Sequence, residues 1–384
     1  MLKKVSKFVK ENFKLVIFLC IWFMLASTGV YAANTIYSKN VTYDNSKSGL
    51  SATNVQDALD ETYNKCMPTA ADKIINLYED GSSINSVYIG NNSNNPEVKL
   101  NENKNIMLDN NGNYRYYGAN PNNYVYFNEE LWRIIGVFYD VDDGTGKKEK
   151  RLKLIRNESI GDYSWDSSAS TVNSGQGVND WSKSDLMTEL NDLYYNSKSG
   201  TCYTGQNNAT TTCDFTDMGL NSSTKDMIDS AVYYLGAGLG EYGGASTVFN
   251  LYANEFYELE RDTAVYDCSL NDGACPRATT WVGNVGIMYP SDYMYATDLS
   301  LCIQTGSNYS VSDCEVNDWL FIDEPQWTIS STIRYPHLGF NIYYNFITDG
   351  RVYYTMSVRP VVYLKSNIVI TDGSGTSSDP YILR

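Results

Sequence analysis

The sequence predicts an α+β protein in which a mixed, largely antiparallel sheet outweighs two or more packed helices, and three observations lead there. Gly, Asn, Ser and Tyr are abundant, while Lys and Glu, the usual formers of surface helices, are sparse. Short runs of β-branched and aromatic residues recur between turn-forming Asn, Gly and Asp. A few segments instead repeat apolar residues every three or four positions, the period of an amphipathic helix. With 42% hydrophobic and 14% aromatic residues in a chain of 384, there is material for a sizeable core. The net charge of -16 would repel a phosphate backbone, which argues against nucleic acid as a partner.

Residues 1–32 read as an export segment. Lys3, Lys4, Lys7, Lys10 and Lys14 precede the apolar run Leu15 to Leu25, and small residues from Ala26 end in Val30-Tyr31-Ala32 before Ala33. The apolar stretch 15–33 is also nearly long enough to span a bilayer, so a cleaved signal peptide and a retained membrane anchor both fit. Either way the positive flank stays inside, and the chain beyond Ala33 faces the outside of the cell, held at the membrane or secreted.

Cysteine usage agrees with export. Cys202 with Cys213, Cys268 with Cys275, and Cys302 with Cys314 form close pairs around polar loops, the pattern of local disulfides in an oxidising compartment. Cys66 is left over and is available for an intermolecular bond. Zinc is disfavoured, because the chain has no C-x-x-C spacing and its single histidine is His337.

Residues 33–66 read as a stalk. Ser51-Ala-Thr-Asn-Val55 leads into a short helix with Val55, Ala58, Leu59 and Tyr63 on one face. The SATNVQDALDE stretch resembles segments in the stalks of bacterial surface proteins and phage fibres, which implies a homotrimer; a helix docked on the main domain fits as well. Residues 67–123 read as a small β-rich spacer with strands at Ser86–Ile89 and Glu97–Leu100.

The main domain is expected over 124–384. Tyr124–Phe127 and Leu131–Phe138 read as strands joined by a turn at Asn128–Glu130, and Arg151–Arg156 pairs back across Asp140–Lys150. Asp140 to Gly144 invites calcium, but the glycine stands fifth rather than sixth and Arg151 occupies the twelfth position, so a hairpin turn fits better. Ser182 and Ser223 are placed to cap helices carrying Leu186, Leu190 and Leu193, and Met227, Ile228, Ala231, Val232 and Leu235. A third helix is expected over Thr247–Glu260. The long loops from Arg261 to Gln326 precede strands at Trp327–Ser330 and Phe340–Tyr344. Asp349–Thr355 and Ser357–Leu364 then read as a hairpin that delivers a buried closing strand, followed by a tail strand at Ile368–Ile370 and a final segment at Pro380–Leu383.

The segments RYYGANPNNYVYF, LWRIIGVF, LKLIRNESIG, MYPSDY and VRPVVYLKS, in that order, resemble a surface-domain family of exported proteins in gut Firmicutes and their wall-less relatives. The layout of that family is similar to the C-type-lectin-like fold shared with formylglycine-generating enzymes, and the resemblance covers Tyr124 to Leu364. It implies binding, without naming a ligand. Glu324-Pro-Gln326 follows Val316-Asn-Asp-Trp319, reversing the order of the calcium-dependent sugar site, so no cofactor is implied and calcium is disfavoured.

No Ser/His/Asp or Cys/His arrangement, phosphate loop or metal cluster is legible, so no catalytic residue is assigned. Tyrosine mixed with Asn, Ser and Gly is the chemistry of binding surfaces, and Trp281, Tyr289, Tyr293, Tyr295, Tyr343 and Tyr344 are the candidate contacts; Trp132 and Trp327 are expected in the core. The expected role is an adhesin-like domain for a glycan or protein on host or neighbouring cells. The alternatives are a structural component of a cell-envelope appendage and, third, a carbohydrate-active hydrolase using two of the many carboxylates.

Overall fold

A computed structural model describes Lys14 and residues 38–48, 50–80, 83–167, 177–236, 250–262, 277–309, 312–332 and 336–384. The expected apolar N-terminal helix, Cys20 and the pair Cys268–Cys275 lie outside the described residues, as does the side chain of Cys66. Among the described residues no helix is long and apolar enough to cross a membrane.

The chain divides into two compact units, 1–67 and 68–384. In the first, Val41 to Tyr43 pairs with Thr53 to Val55 and leads into the helix Val55–Cys66. Asn54 caps it by accepting the Asp57 N–H at 2.9 Å, and Glu61 reaches back to accept the N–H groups of Ser51 and Ala52. Ala58 is buried, whereas Leu59, expected on the same face, is 60% exposed.

The second unit is α+β with mostly antiparallel sheets. Its strands are β1 (Ile84–Tyr88), β2 (Glu97–Asn101), β3 (Ile106–Leu108), β4 (Tyr114–Tyr116), β5 (Tyr124–Phe127), β6 (Glu130–Asp142), β7 (Lys148–Arg156), β8 (Asp162–Ser164), β9 (Ser199–Gly205) and β10 (Ala209–Asp214). They continue as β11 (Ala231–Tyr234), β12 (Thr280–Gly283), β13 (Val285–Gly286), β14 (Gln326–Ser331), β15 (Leu338–Tyr343), β16 (Phe346–Arg351), β17 (Thr355–Ser357), β18 (Val361–Tyr363), β19 (Ile370–Asp372) and β20 (Tyr381–Leu383).

The large sheet is organised by β6, which is long enough to take three neighbours. Along one edge Glu130–Arg133 pairs with β5 and Gly136–Val137 with β4, while the other edge pairs with β7 from Trp132 to Asp142. Gly136 is required where β4 arrives, because a Cβ there would stand 2.3 Å from the Tyr114 carbonyl oxygen. From β4 the sheet runs through β3 and β2 to β1; from β5 it runs through β20 to β19; from β7 it runs through β18 to β13. Stretch 67–123 therefore does not stand apart as a spacer. Its strands complete the main sheet, and the helix Ala70–Glu79, absent from the sequence-based expectation, buries Ile74, Ile75 and Tyr78. The signal for that helix is present in the sequence: Thr69 accepts the Asp72 N–H at 3.1 Å, and the apolar residues recur at helical spacing.

A second sheet runs in the order β16, β15, β14, β17, β8. The hairpin expected between Asp349–Thr355 and Ser357–Leu364 is not formed. Asp349 to Arg351 belongs to β16 and pairs with β15, whereas Val361 to Tyr363 is inserted between β7 and β13. The expected burial of the closing strand does hold, with Val361, Val362 and Tyr363 all buried.

Two helix assignments change. Ser184, not Ser182, caps the helical turn Asp185–Thr188 by accepting the Met187 N–H, and the helix continues as a π-helical stretch Glu189–Tyr194 that buries Leu190. Asn221, not Ser223, caps a single turn Ser222–Lys225, after which Ala231–Tyr234 becomes β11. Residues Ala231 to Tyr234 fit both periods; alternation wins because Ala231 and Tyr233 turn inward while the backbone pairs with β12. The third helix is shorter than expected and covers Ala253–Glu260. A run of rings crosses the core from Trp165 through Trp181, Trp281, Tyr233 and Tyr363 to Phe138, with centroids 5.4 to 6.2 Å apart.

Candidate functional site

The candidate contacts separate into a buried group and an exposed one. Trp281 is partly buried and packs on the aromatic run of the core. Tyr289, Tyr293 and Tyr295 are buried, and this corrects their assignment as ligand contacts: the helix Pro290–Tyr295 is covered on every side, leaving no ring for a ligand to reach. Trp132 and Trp327 are in the core as expected. Tyr343 and Tyr344 are 40% and 54% exposed.

These two form the tip of the β15–β16 hairpin, whose two-residue turn is Tyr344-Asn345. Tyr344 has φ +56°, a left-handed conformation that is costly for a bulky side chain and is normally given to glycine in such a turn. Its ring meets that of Tyr343 edge to face at 4.6 Å, and Phe346 lies 6.2 Å from Tyr343.

The turn does not hang free. Asn345 Nδ2 donates to Glu315 Oε2 at 2.7 Å, and the buried Tyr293 hydroxyl donates to the Asn345 carbonyl at 3.4 Å. Beneath it the rings of Tyr293 and Tyr309 meet at 5.1 Å, tilted by 49°, and Tyr309 donates to Asp318 Oδ2 at 2.8 Å. Burial pushes the Asp318 carboxyl up to about 7. Tyr293 is thus a support for the surface rather than part of it.

Glu315 follows Cys314, which is disulfide-bonded to Cys302. Leu301, Ile303 and Val316, residues adjoining this disulfide or one position beyond it, are exposed, Val316 by 63%. The tip is joined at Asn345 to Glu315, with Tyr343 and Tyr344 preceding the one and Val316 following the other, while Leu301 and Ile303 flank the cysteine bonded to Cys314. Sequence reasoning finds the tyrosines and misses the aliphatics. Their only signal is position, since Leu301 and Ile303 flank a cysteine whose spacing already pairs it with Cys314. The second described disulfide, Cys202–Cys213, joins β9 to β10. Both fit an oxidising compartment.

A second concentration of chemistry is internal. Arg115 on β4 donates from Nε to Asp109 Oδ2 at 2.7 Å and from Nη1 to Asp292 Oδ1 at 3.2 Å. Lys153 on β7 meets the other oxygen of Asp292, which also accepts the Tyr289 N–H at 3.0 Å. Rings enclose both cations: Phe138, Tyr257 and Tyr295 around Arg115, and Tyr289, Phe138 and Tyr363 around Lys153. Next to Asp292, Ser291 gives its N–H and its hydroxyl to Glu260.

Burial works against every charge in this cluster. It draws Lys153 down to about 8 although Asp292 opposes it, and it pushes Glu260 up to about 7. It also pushes Asp292 up, but Lys153 and Arg115 outweigh it and hold that carboxyl below its ordinary range. Nothing in the sequence signals the cluster, because alternation places Lys153 on the solvent side of β7 and that side is covered too.

Asp140 to Asp142 belong to β6, and the turn 143–147 that follows is held by the carboxylates of Asp142 and Asp143. Asp142 Oδ1 accepts the N–H groups of Gly144 and Gly146, and Asp143 Oδ1 accepts from Thr145. Among the described residues no three His, Cys, Asp or Glu side chains are grouped to hold a metal ion.

Comparison with known proteins finds no matching family model, no matching curated protein and no matching solved structure.

Proposed function

We propose that this chain is an exported, surface-displayed binding protein whose lectin-like region, Tyr124 to Leu364, takes an extracellular glycan or protein at the Tyr343–Tyr344 tip. The observation that carries this reading is Tyr344 itself. A tyrosine kept at φ +56°, with its ring in solvent, costs stability that a glycine would not, and strain of that kind persists where the side chain is used. Two adjacent exposed rings, on a turn bonded to Glu315 next to the exposed Val316, suit the apolar face of a sugar ring or a protein hot spot. Asn345 and the disulfide fix the tip before a ligand arrives, which lowers the entropy lost on binding.

The test is a glycan and mucin array probed with the full chain purified under oxidising conditions, with calcium and with chelator. Saturable binding that disappears in Tyr344→Ala, while that variant keeps its thermal transition, supports the reading. Binding that survives Tyr343→Ala and Tyr344→Ala together moves the site elsewhere. Silence across the array, from protein that is folded and self-associates, favours the appendage component instead.

A further inference from the structure

Lys153 and Asp292 are the place among the described residues where a primary amine and a carboxylate are paired with neither side chain reaching solvent. Other lysine pairs, such as Lys150 with Asp72 and Lys147 with Glu149, keep an exposed partner. Lys153 is fixed from three sides by Tyr289, Phe138 and Tyr363, and Asp292 by Arg115 and the Tyr289 N–H, so amine and carboxyl are held facing each other.

We propose that Lys153 and Asp292 condense into an isopeptide bond that ties β7 covalently to the helix Pro290–Tyr295. The ammonium of Lys153 gives one proton to Asp292 Oδ2, and the neutral Nζ attacks Cγ. As the N–C bond forms, negative charge gathers on Oδ1, which faces Arg115 Nη1 at 3.2 Å. The Cγ–Oδ2 bond then breaks, and Oδ2 leaves as water with the second proton from Nζ. One proton stays on the amide nitrogen. Three protons of the ammonium and both carboxylate oxygens are accounted for, with no oxidant, reductant or other reactant.

Three features favour the product. Two ions buried without solvent are costly, and a neutral amide removes both charges. The cluster remains balanced afterwards, because Arg115 keeps Asp109 at 2.7 Å as its own counter-ion. Two groups held in contact react as though at very high concentration, on the order of 10^5 M or more.

The experiment is a tryptic digest of the full chain after reduction and alkylation, read by tandem mass spectrometry. Trypsin cannot cut beside an acylated lysine, so the expected species is peptide 152–156 joined to peptide 278–334, lighter than the two together by one water. Recovery of Leu152-Lys153 as a free dipeptide and of unlinked 278–334 as the dominant forms overturns the proposal. Asp292→Ala should abolish the joined species, and its persistence there would overturn the assignment to Asp292. If that variant fails to fold, the digest of the native chain decides alone.

Discussion

Asn345 Nδ2 stands 2.7 Å from Glu315 Oε2, a hydrogen bond that joins the exposed turn of one sheet to the residue following a disulfide-bonded cysteine. The two segments are thirty residues apart in sequence, so neither could predict the other. Their meeting turns two tyrosines at a hairpin tip into part of a supported surface.

Tyr344→Gly separates stability from use. Glycine accepts φ +56° without the steric cost that tyrosine bears, and the folded state gains even after the extra freedom of glycine in the unfolded chain. The expected outcome is a rise of about 1 kcal/mol in urea unfolding together with loss of ligand binding. A variant that is destabilised, or that binds unchanged, contradicts a functional origin for the strain.

The two described disulfides should differ in consequence. Each closes a loop of similar length, so replacing either pair with serine should cost about 3 kcal/mol in the chain-entropy model. Only Cys302→Ser with Cys314→Ser should also weaken binding, because Cys314 anchors the adjoining Glu315 and the exposed Val316. Equal loss of binding in both double variants, measured per folded molecule, would show that the closed loop has no special part in the site.

Much of the β structure is legible because it is local. Tyr124–Phe127 with its turn at Asn128 and Glu129, both at positive φ, and the pairing of Arg151–Arg156 with the preceding strand, follow from alternation and turn chemistry alone. The choices that fail are those that distant partners decide. Val361 to Tyr363 looks like the second arm of a hairpin until β7 and β13 claim its two edges. Tyr289 and Tyr295 look like a recognition surface until β7 and β4 supply Lys153 and Arg115 against them, and Tyr293 until the Tyr309 ring and the Asn345 carbonyl meet it. An aromatic residue reads the same in sequence whether it faces a ligand or a buried cation.

Gly136→Ala tests the branching of the large sheet. The added methyl would be placed 2.3 Å from the Tyr114 carbonyl, against backbone that a side-chain rotation cannot move. The expected cost is about 2 to 3 kcal/mol in denaturant unfolding. Amide exchange should rise first in Ile106–Leu108 and Tyr114–Tyr116, which reach β6 through that contact. Protection unchanged in both strands would mean that the sheet does not branch at Gly136.

Glu189 makes the protein's stability depend on pH in an uncommon direction. Its carboxyl is buried on the π-helical stretch, with Oε1 accepting the Tyr203 N–H at 2.6 Å and Oε2 lacking a hydrogen-bond partner among the described residues. Burial pushes its pKa up to about 8 from an ordinary 4.5, the nearby Asp185 adding to the effect. Between those values the folded state holds a proton that the unfolded chain has released, so the stabilisation is complete below about 4.5 and is lost as pH rises through 8. Glu260 and Asp318, each raised to about 7, act in the same direction and are exhausted earlier. The step from pH 7 to 8 therefore belongs mainly to Glu189. In Glu189→Gln the amide oxygen can still accept the Tyr203 N–H while no charge is buried at high pH. The variant should match the native chain near pH 5, lose the larger part of the decline between pH 7 and 8, and be the more stable of the two at pH 8.5. Urea midpoints at these pH values check the sign, and a variant whose stability stays parallel to that of the native chain from pH 5 to 8.5 would show that Glu189 is ionised in the fold.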